Sequence, residues 1–461
     1  VRTAIAVLSQ IKKKMLNRSP QIVVLVISVI MLAWSCTPNQ LAKTSSASAQ
    51  RQDQHSSKTN AKQPPPTARP LLASGKPNVK VNAQIQEYLQ QLAMQGHTTE
   101  NQGVWLQAGD RLLASHQGAV PLPAASVTKI ATSLVALETL GPNHQFVTTI
   151  ATTGTIKNGV LNGDLVIQGG EDPFFVWESA IAVGQLLNQR GIQRVSGNLV
   201  IVGKFYMNFE VAPLTAGSLL RQGLNAQLWT AEAQDAFQTL PAKTLRPQIG
   251  IAGTVKVLPT LPRSLTPIVR HSSLPLAELL KKMNRYSNNL MADMLANTVG
   301  GAKVVAHKAA QITGVPSAEI QLINGSGLGA KNRISPRAAC ALLLEIAEYL
   351  RPYQMTIADV LAIAGQDTGI LEERPLPPLT IVKSGTLDQV SALVGALPTR
   401  QQGIVWFAIL NQGENVDNFR NRQEYLLQTL LTQWGTIPTA PLDLTANPDR
   451  ALNTSHSELL N

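Results

Sequence analysis

The stretch Ala124–Leu137, "AASVTKIATSLVAL", decides how this chain is read, because it sets Ser126 and Lys129 three residues apart at the head of an apolar run that a helix continues. On a helix, side chains at i and i+3 share one face about 5–6 Å apart. A lysine there can take a serine proton only when neutral, and desolvation or a second cation nearby pushes it toward that state. Alone the spacing is weak, since Ser9 and Lys12 repeat it in a segment that has no catalytic setting.

Two later elements strengthen it. Ser287-Asn288-Asn289 opens the helical stretch "NNLMADMLA", where a hydroxyl and an amide can relay protons and bond a substrate backbone; Ser and Asn are also preferred helix caps, so by itself the triplet reads first as a cap. Another S-x-N, Ser196 to Asn198, falls in a turn and is read as turn chemistry. Lys383-Ser384-Gly385-Thr386 ends a strand candidate. A lysine there supplies positive charge, the hydroxyls can bind a carboxylate, and Gly385 lets a substrate lie against the strand edge. Its plain alternative is a solvated strand end.

The order S-x-x-K, S-x-N, K-[ST]-G is the set found in penicillin-binding proteins and class A β-lactamases. With "SVTKIATSLVALETLGPNHQF", "NGDLVIQGGEDP", "INGSGLGAKNRISPRAACALL" and "LTIVKSGTLDQVSALVGAL", the chain resembles the low-molecular-mass class C penicillin-binding proteins, the D-alanyl-D-alanine carboxypeptidase/endopeptidase family, over roughly residues 85–430. The resemblance implies an α+β, penicillin-binding/serine β-lactamase-like fold: an antiparallel sheet flanked by helices, a helical subdomain, and an insertion between the first two motifs. It also implies roles. Ser126 is the expected nucleophile, Lys129 its base, Ser287 the third catalytic residue, and Asn289, Lys383, Ser384, Gly385 and Thr386 the substrate-binding set. The backbone N–H groups of Ser126 and Thr386 would form the oxyanion hole. Peptidoglycan stem peptides and β-lactams are the expected partners, with no cofactor and no metal.

Departures from the family pattern are visible. Ser384 replaces the usual Thr, Asn324 stands where Asp is common, Gly329 where Ser is usual, Asn288 follows Ser287 in place of Asp, and the insertion is short. They leave the nucleophile standing and put endopeptidase action on cross-linked polymer in doubt. They also motivate an alternative from another class, a catalytically weak penicillin-recognising binding protein of the envelope.

The rest of the chain fits around these motifs. Residues 1–79 hold eleven Lys and Arg against Asp53 alone, so nearly all of the net charge of +11 lies there and the remainder is close to neutral. Such a body lacks the basic surface that phosphate binding needs, which argues against a nucleic-acid partner. The basic segment leads into "IVVLVISVIMLAW" (22–34) and Ser35-Cys36, the order of a secretory signal, short for a membrane span of about 20 residues. Met15 is a candidate start. "LAWSC" is an imperfect lipobox, with Ala33 and Trp34 out of pattern, so Cys36 is the candidate lipid site and membrane anchor. These features place the body on the periplasmic side of the cytoplasmic membrane.

The expected division is 1–36 leader, 37–80 disordered tether, 81–145 and 262–435 peptidase domain, 146–261 inserted β-rich subdomain, and 436–461 disordered tail. The insert carries Asn158-Gly159 and Asn162-Gly163 as hairpin signals and one helix, near "WESAIAVGQLLNQRG". "LTIVKSG", "QVSALVGALPT" and "GIVWFAILNQG" predict an antiparallel meander, crossed by a last helix, "VDNFRNRQEYLLQTLLTQWG". Cys340 lies in an apolar helical stretch and reads as core.

Other chemistries fail on inventory. The seven histidines show no H-E-x-x-H spacing, and no C-x-x-C or G-x-S-x-G occurs, against a zinc peptidase and an α/β-hydrolase elbow. The E-x-x-L-N segment that positions the deacylating Glu of class A β-lactamases is also absent, which favours a long-lived penicilloyl ester.

Overall fold

The computed structural model describes residues 72–452 and 454–461. The leader, Cys36 and nearly all of the expected tether lie outside the described residues.

Helix α1 (Val79–Ala93) starts where Asn78 Oδ1 accepts from the Lys80 and Val81 N–H groups, and buries Val81, Ile85, Tyr88, Leu89 and Leu92 at helical spacing. The chain is therefore ordered slightly before the expected end of the tether at residue 80. Strands β1 (Gln102–Ala108) and β2 (Arg111–His116) form a hairpin. A short 3-10 turn, Ala125–Val127, then feeds α2 (Thr128–Leu140). Every residue of α2 from Thr128 to Leu137 is buried, the polar Thr128, Lys129, Thr132 and Ser133 along with the apolar ones.

The insertion follows. Its strands β3 (Val147–Thr152), β4 (Leu165–Gly170), β5 (Leu199–Lys204), β6 (Val255–Leu258) and β7 (Thr266–Ser272) lie in the order β6-β5-β4-β3-β7. Pairs β4/β5 and β5/β6 are parallel, with α3 (Trp177–Gln189) and α4 (Pro213–Gly223) in the connections, because parallel neighbours need crossovers. The subdomain is thus β-rich, as the sequence suggested, but carries α4 as well as the one expected helix, and its sheet runs on to Ser272, past the expected boundary at 261. Asn158-Gly159 does form a hairpin turn, with Lys157 opposite Val160 and φ of 50° and 79°. Asn162-Gly163 does not; Asn162 is a strand end.

Helices α5 (Leu276–Arg285), α6 (Asn289–Thr298), α7 (Ala302–Thr313) and α8 (Pro336–Leu350) pack with α2 into one apolar core that holds Cys340. The chain then returns to the first sheet with β8 (Ala362–Ile363), β9 (Ile381–Leu387), β10 (Val390–Thr399) and β11 (Gly403–Gln412). Its order is β8-β9-β10-β11-β1-β2, antiparallel throughout, and the expected meander is its centre. Helix α9 (Val416–Trp434) lies on it. Both faces are covered: Trp406, Ala408 and Leu410 enter the α2/α8 core, while Phe407 and Ile409 enter a second core with α1 and α9. That is why these strands read as continuous apolar runs where a one-sided strand would alternate.

The tail expected to be disordered is ordered. Leu444 and Arg450 are buried, Arg450 pairs with Glu278 at 3.0 Å, and β12 (His456–Leu459) adds to the edge of β7, placing Ser457 opposite His271. Ser457 Oγ sits 2.8 Å from His271 Nδ1, and His271 and Asp172 are buried together with Nε2 and Oδ2 3.5 Å apart. The tail is held by a backbone ladder and polar contacts, which leave no apolar period in a sequence. Deleting residues 454–461 should lower the apparent Tm by about 2–5 °C with little change in far-UV circular dichroism, since a peripheral strand is worth a few kcal/mol at most.

Candidate active site

The Ala124–Ser126 turn is shaped by close backbone approach. Ala125 holds φ of 45°, and Gly327 passes so near that a Cβ there would lie 1.8 Å from the Ala125 carbonyl oxygen. On the other side β9 runs past at Gly385, whose Cβ would lie 2.7 Å from Ala124 O and 2.8 Å from Ser126 N. Strand β8 pairs only with Ile381 and Val382, so among the described residues β9 has no strand neighbour on that side from Lys383 onward and borders the cleft.

Lys129 is fully buried. Its Nζ lies 2.9 Å from Ser126 Oγ, 2.7 Å from Asn289 Oδ1 and 2.8 Å from the Ser326 carbonyl oxygen. Burial brings its pKa down to about 7, against the opposing pull of Asp293. Asp293, one turn after Asn289 on α6, is itself committed: Oδ1 accepts from the Gly325 and Ser326 N–H groups at 2.9 Å, and Oδ2 from Ser326 Oγ at 3.2 Å. It fixes the loop that presents the Ser326 carbonyl to Lys129. Thr132 Oγ1 ties the same loop to α2 by donating to Gly325 O at 2.8 Å.

The S-x-N triplet is both of the things the sequence allowed. Asn288 is the cap of α6, its Oδ1 accepting from Met291 N–H at 3.0 Å, and that cap turns Ser287 and Asn289 toward the two lysines. Ser287, at φ 53°, accepts from Lys383 Nζ at 3.0 Å. Lys383 also donates to Ser384 O at 2.6 Å; it is buried, and desolvation together with the charge of Lys129 holds its pKa well below the ordinary lysine value. Ser126, Ser287, Asn289, Ser384 and Thr386 line one cavity of about 550 Å³, so the structure brings together all the residues expected from the three motifs.

Sequence reasoning missed Asp293, Ser326 and Arg420. Asp293 had a signal, its i+4 relation to Asn289. Arg420, which donates to Thr386 Oγ1 at 3.0 Å from α9, had none.

A serine bonded to a desolvated lysine, a second serine–lysine pair opposite, and a glycine-thinned strand edge define the class of serine acyl-enzyme hydrolases that recognise penicillin. Residues 81–208 and 214–432 match the model of the D-Ala-D-Ala carboxypeptidase 3 (S13) family, and the chain belongs to that family. It is a serine-type D-Ala-D-Ala carboxypeptidase of the penicillin-binding α+β fold. Among curated relatives, the D-alanyl-D-alanine carboxypeptidase DacB of Haemophilus influenzae is 22% identical over 411 residues, covering 68% of this chain and 85% of the relative. A Mycobacterium tuberculosis carboxypeptidase is 26% identical over 356 residues, covering 68% and 75%. Among solved structures, a penicillin G-acylated predatory endopeptidase from Bdellovibrio bacteriovorus, in complex with an immunity protein, shares the fold with a TM-score of 0.62 at 21% identity, over 76% of this chain and 98% of that one.

Gly385→Ala should push β9 off the Ala124–Ser126 turn. Labelling by a fluorescent penicillin should slow about 100-fold, the cost of a displacement near 1 Å, while the melting temperature changes little.

Proposed function

We propose that Ser126 is acylated by the penultimate D-alanyl carbonyl of a peptidoglycan stem peptide. The observation that carries this reading is the hydrogen-bond set of Lys129. A neutral amine has two N–H bonds, and two of its three neighbours, Asn289 Oδ1 and Ser326 O, can only accept. The lone pair is then left for the hydroxyl proton of Ser126. Lys129 takes that proton as Ser126 Oγ forms the C–O bond, and the N–H groups of Ser126 and Thr386 receive the oxyanion. The C–N bond breaks, D-alanine leaves with a proton passed through Ser287, which Lys383 orients, and water hydrolyses the ester to return free Ser126.

Penicillin enters the same step, and its ester persists because no carboxylate stands in the E-x-x-L-N position to activate water. The domain reading is a peptidase body of 81–145 and 273–435 around an insert that continues through β7 to Ser272. In the cell the body faces the wall from the outer side of the cytoplasmic membrane, carried by the 1–36 leader or a lipid on Cys36. Intact mass of the mature protein tests the anchor: an N-terminus well beyond Cys36 with no lipid adduct excludes it.

The chemistry is tested on purified protein. D-Alanine release from a stem-peptide mimic and a benzylpenicillin mass adduct lasting minutes are expected, and both are absent in Ser126→Ala. Rapid return to the free mass with penicillin consumed would indicate a β-lactamase. The acylation rate should rise with pH through an apparent pKa near 7 and level off above it, because the working form of Lys129 is the neutral one. Lys129→Arg, which cannot lose its proton, should lose at least about 10³-fold at every pH from 6 to 9.

A further inference from the structure

The K-S-G-T strand end was expected to supply the positive charge that receives a substrate carboxylate, yet its lysine is badly placed for that task. Lys383 Nζ is engaged by Ser287 Oγ and Ser384 O and is buried. Arg374, also at the cavity, is committed to Glu424 at 2.6 Å and Gln423 at 3.3 Å. Arg420 is different. It lines the same cavity as Ser126 and is about a third exposed, and it donates to Thr386 Oγ1 through Nη2 and, through Nη1 at 2.9 Å, to Asp417, whose side chain is 84% exposed.

Position agrees with charge. Gly385 passes beside Ser126 N, and Thr386 lies one residue, about 3.3 Å, further along β9. In the scissile unit the α-carboxylate carbon of the leaving amino acid is three bonds beyond the carbonyl carbon that Ser126 attacks, a comparable step. Because Thr386 Oγ1 accepts from Arg420, its own O–H is free to donate into the cleft.

We propose that Arg420, with the Thr386 hydroxyl, is the receptor for the free α-carboxylate of the leaving amino acid. This rests on Ser126 being the nucleophile. The substrates selected are those whose leaving amine belongs to an α-amino acid with an unmodified carboxylate, whether a chain-terminal D-residue or the D-centre of a cross-bridge. Asp417 is the resident counter-ion that such a carboxylate displaces.

The test compares two N-acylated peptides, one ending in D-Ala-D-Ala and one in D-Ala-D-alaninamide, and reads the ratio of kcat/KM for acid over amide. In wild type the acid is preferred. In Arg420→Gln the ratio falls about 10- to 100-fold, as expected for loss of a charge-assisted fork, and Arg420→Lys recovers part of it. Asp417→Asn, at a site too exposed to endanger folding, raises the ratio about 2- to 5-fold. A ratio within twofold of wild type in Arg420→Gln, or equal losses on acid and amide, overturns the assignment. If wild type cleaves neither peptide, the nucleophile assignment falls and this one with it; if wild type cleaves both and the ratio does not move, Arg420 alone has been misassigned.

Discussion

The site depends on keeping the Lys129 amine out of water. A lysine enclosed in a helix that is buried on all sides cannot snorkel to solvent, and holding its charged form there costs several kcal/mol unless it is paired. The surroundings give it hydrogen-bond acceptors without giving it a carboxylate. Asn289 Oδ1 and Ser326 O are neutral, while Asp293, the nearby anion, is bonded to the Gly325 and Ser326 N–H groups and to Ser326 Oγ. Had Asp293 met the amine directly, the ion pair would have raised the Lys129 pKa toward the ordinary lysine value and kept the amine charged at neutral pH. The carboxylate orders the loop, and the loop holds the amine.

The first lysine works on the second through charge. Burial, and after it the charge of Lys129, disfavours protonation of Lys383. The two can stay close only because each is fixed by a rigid element, α2 for one and β9 for the other, with both faces of the sheet covered. Gly327 and Gly385 let those elements approach the Ala125–Ser126 backbone to distances that a Cβ forbids. Rigidity and close approach substitute here for the charge pairing that would ordinarily stabilise a buried amine.

What could be read from sequence was whatever rests on local chemistry. The S-x-x-K face, the cap at Asn288, the Asn158-Gly159 turn and the apolar runs of β9, β10 and β11 each follow from spacing, turn preference or burial on both faces. The α/β order of the insert was not readable, because parallel pairing of β4, β5 and β6 joins segments far apart in sequence. The tail was misread as disorder since it is held by β7 and by the Arg450–Glu278 pair, neither of which imposes a period. Arg420 escaped for a related reason: it meets Thr386 only after α9 has crossed the sheet, thirty-four residues on.

The departures from the family pattern look different once their contacts are known. Asn324 accepts from Gly327 N–H at 2.8 Å through Oδ1 and donates to Leu328 O at 2.7 Å through Nδ2, so the amide staples both sides of the loop. A carboxylate at 324 could make the first bond but not the second, and it would add a negative charge in the loop that presents Ser326 O to Lys129, raising the pKa of that lysine. Gly329 has φ of 98°, a conformation that serine adopts only with strain. Asn324 and Gly329 therefore belong together: the amide closes the loop in a shape that needs glycine two residues after Gly327, and that shape delivers a neutral acceptor, Ser326 O, to the buried Lys129 amine.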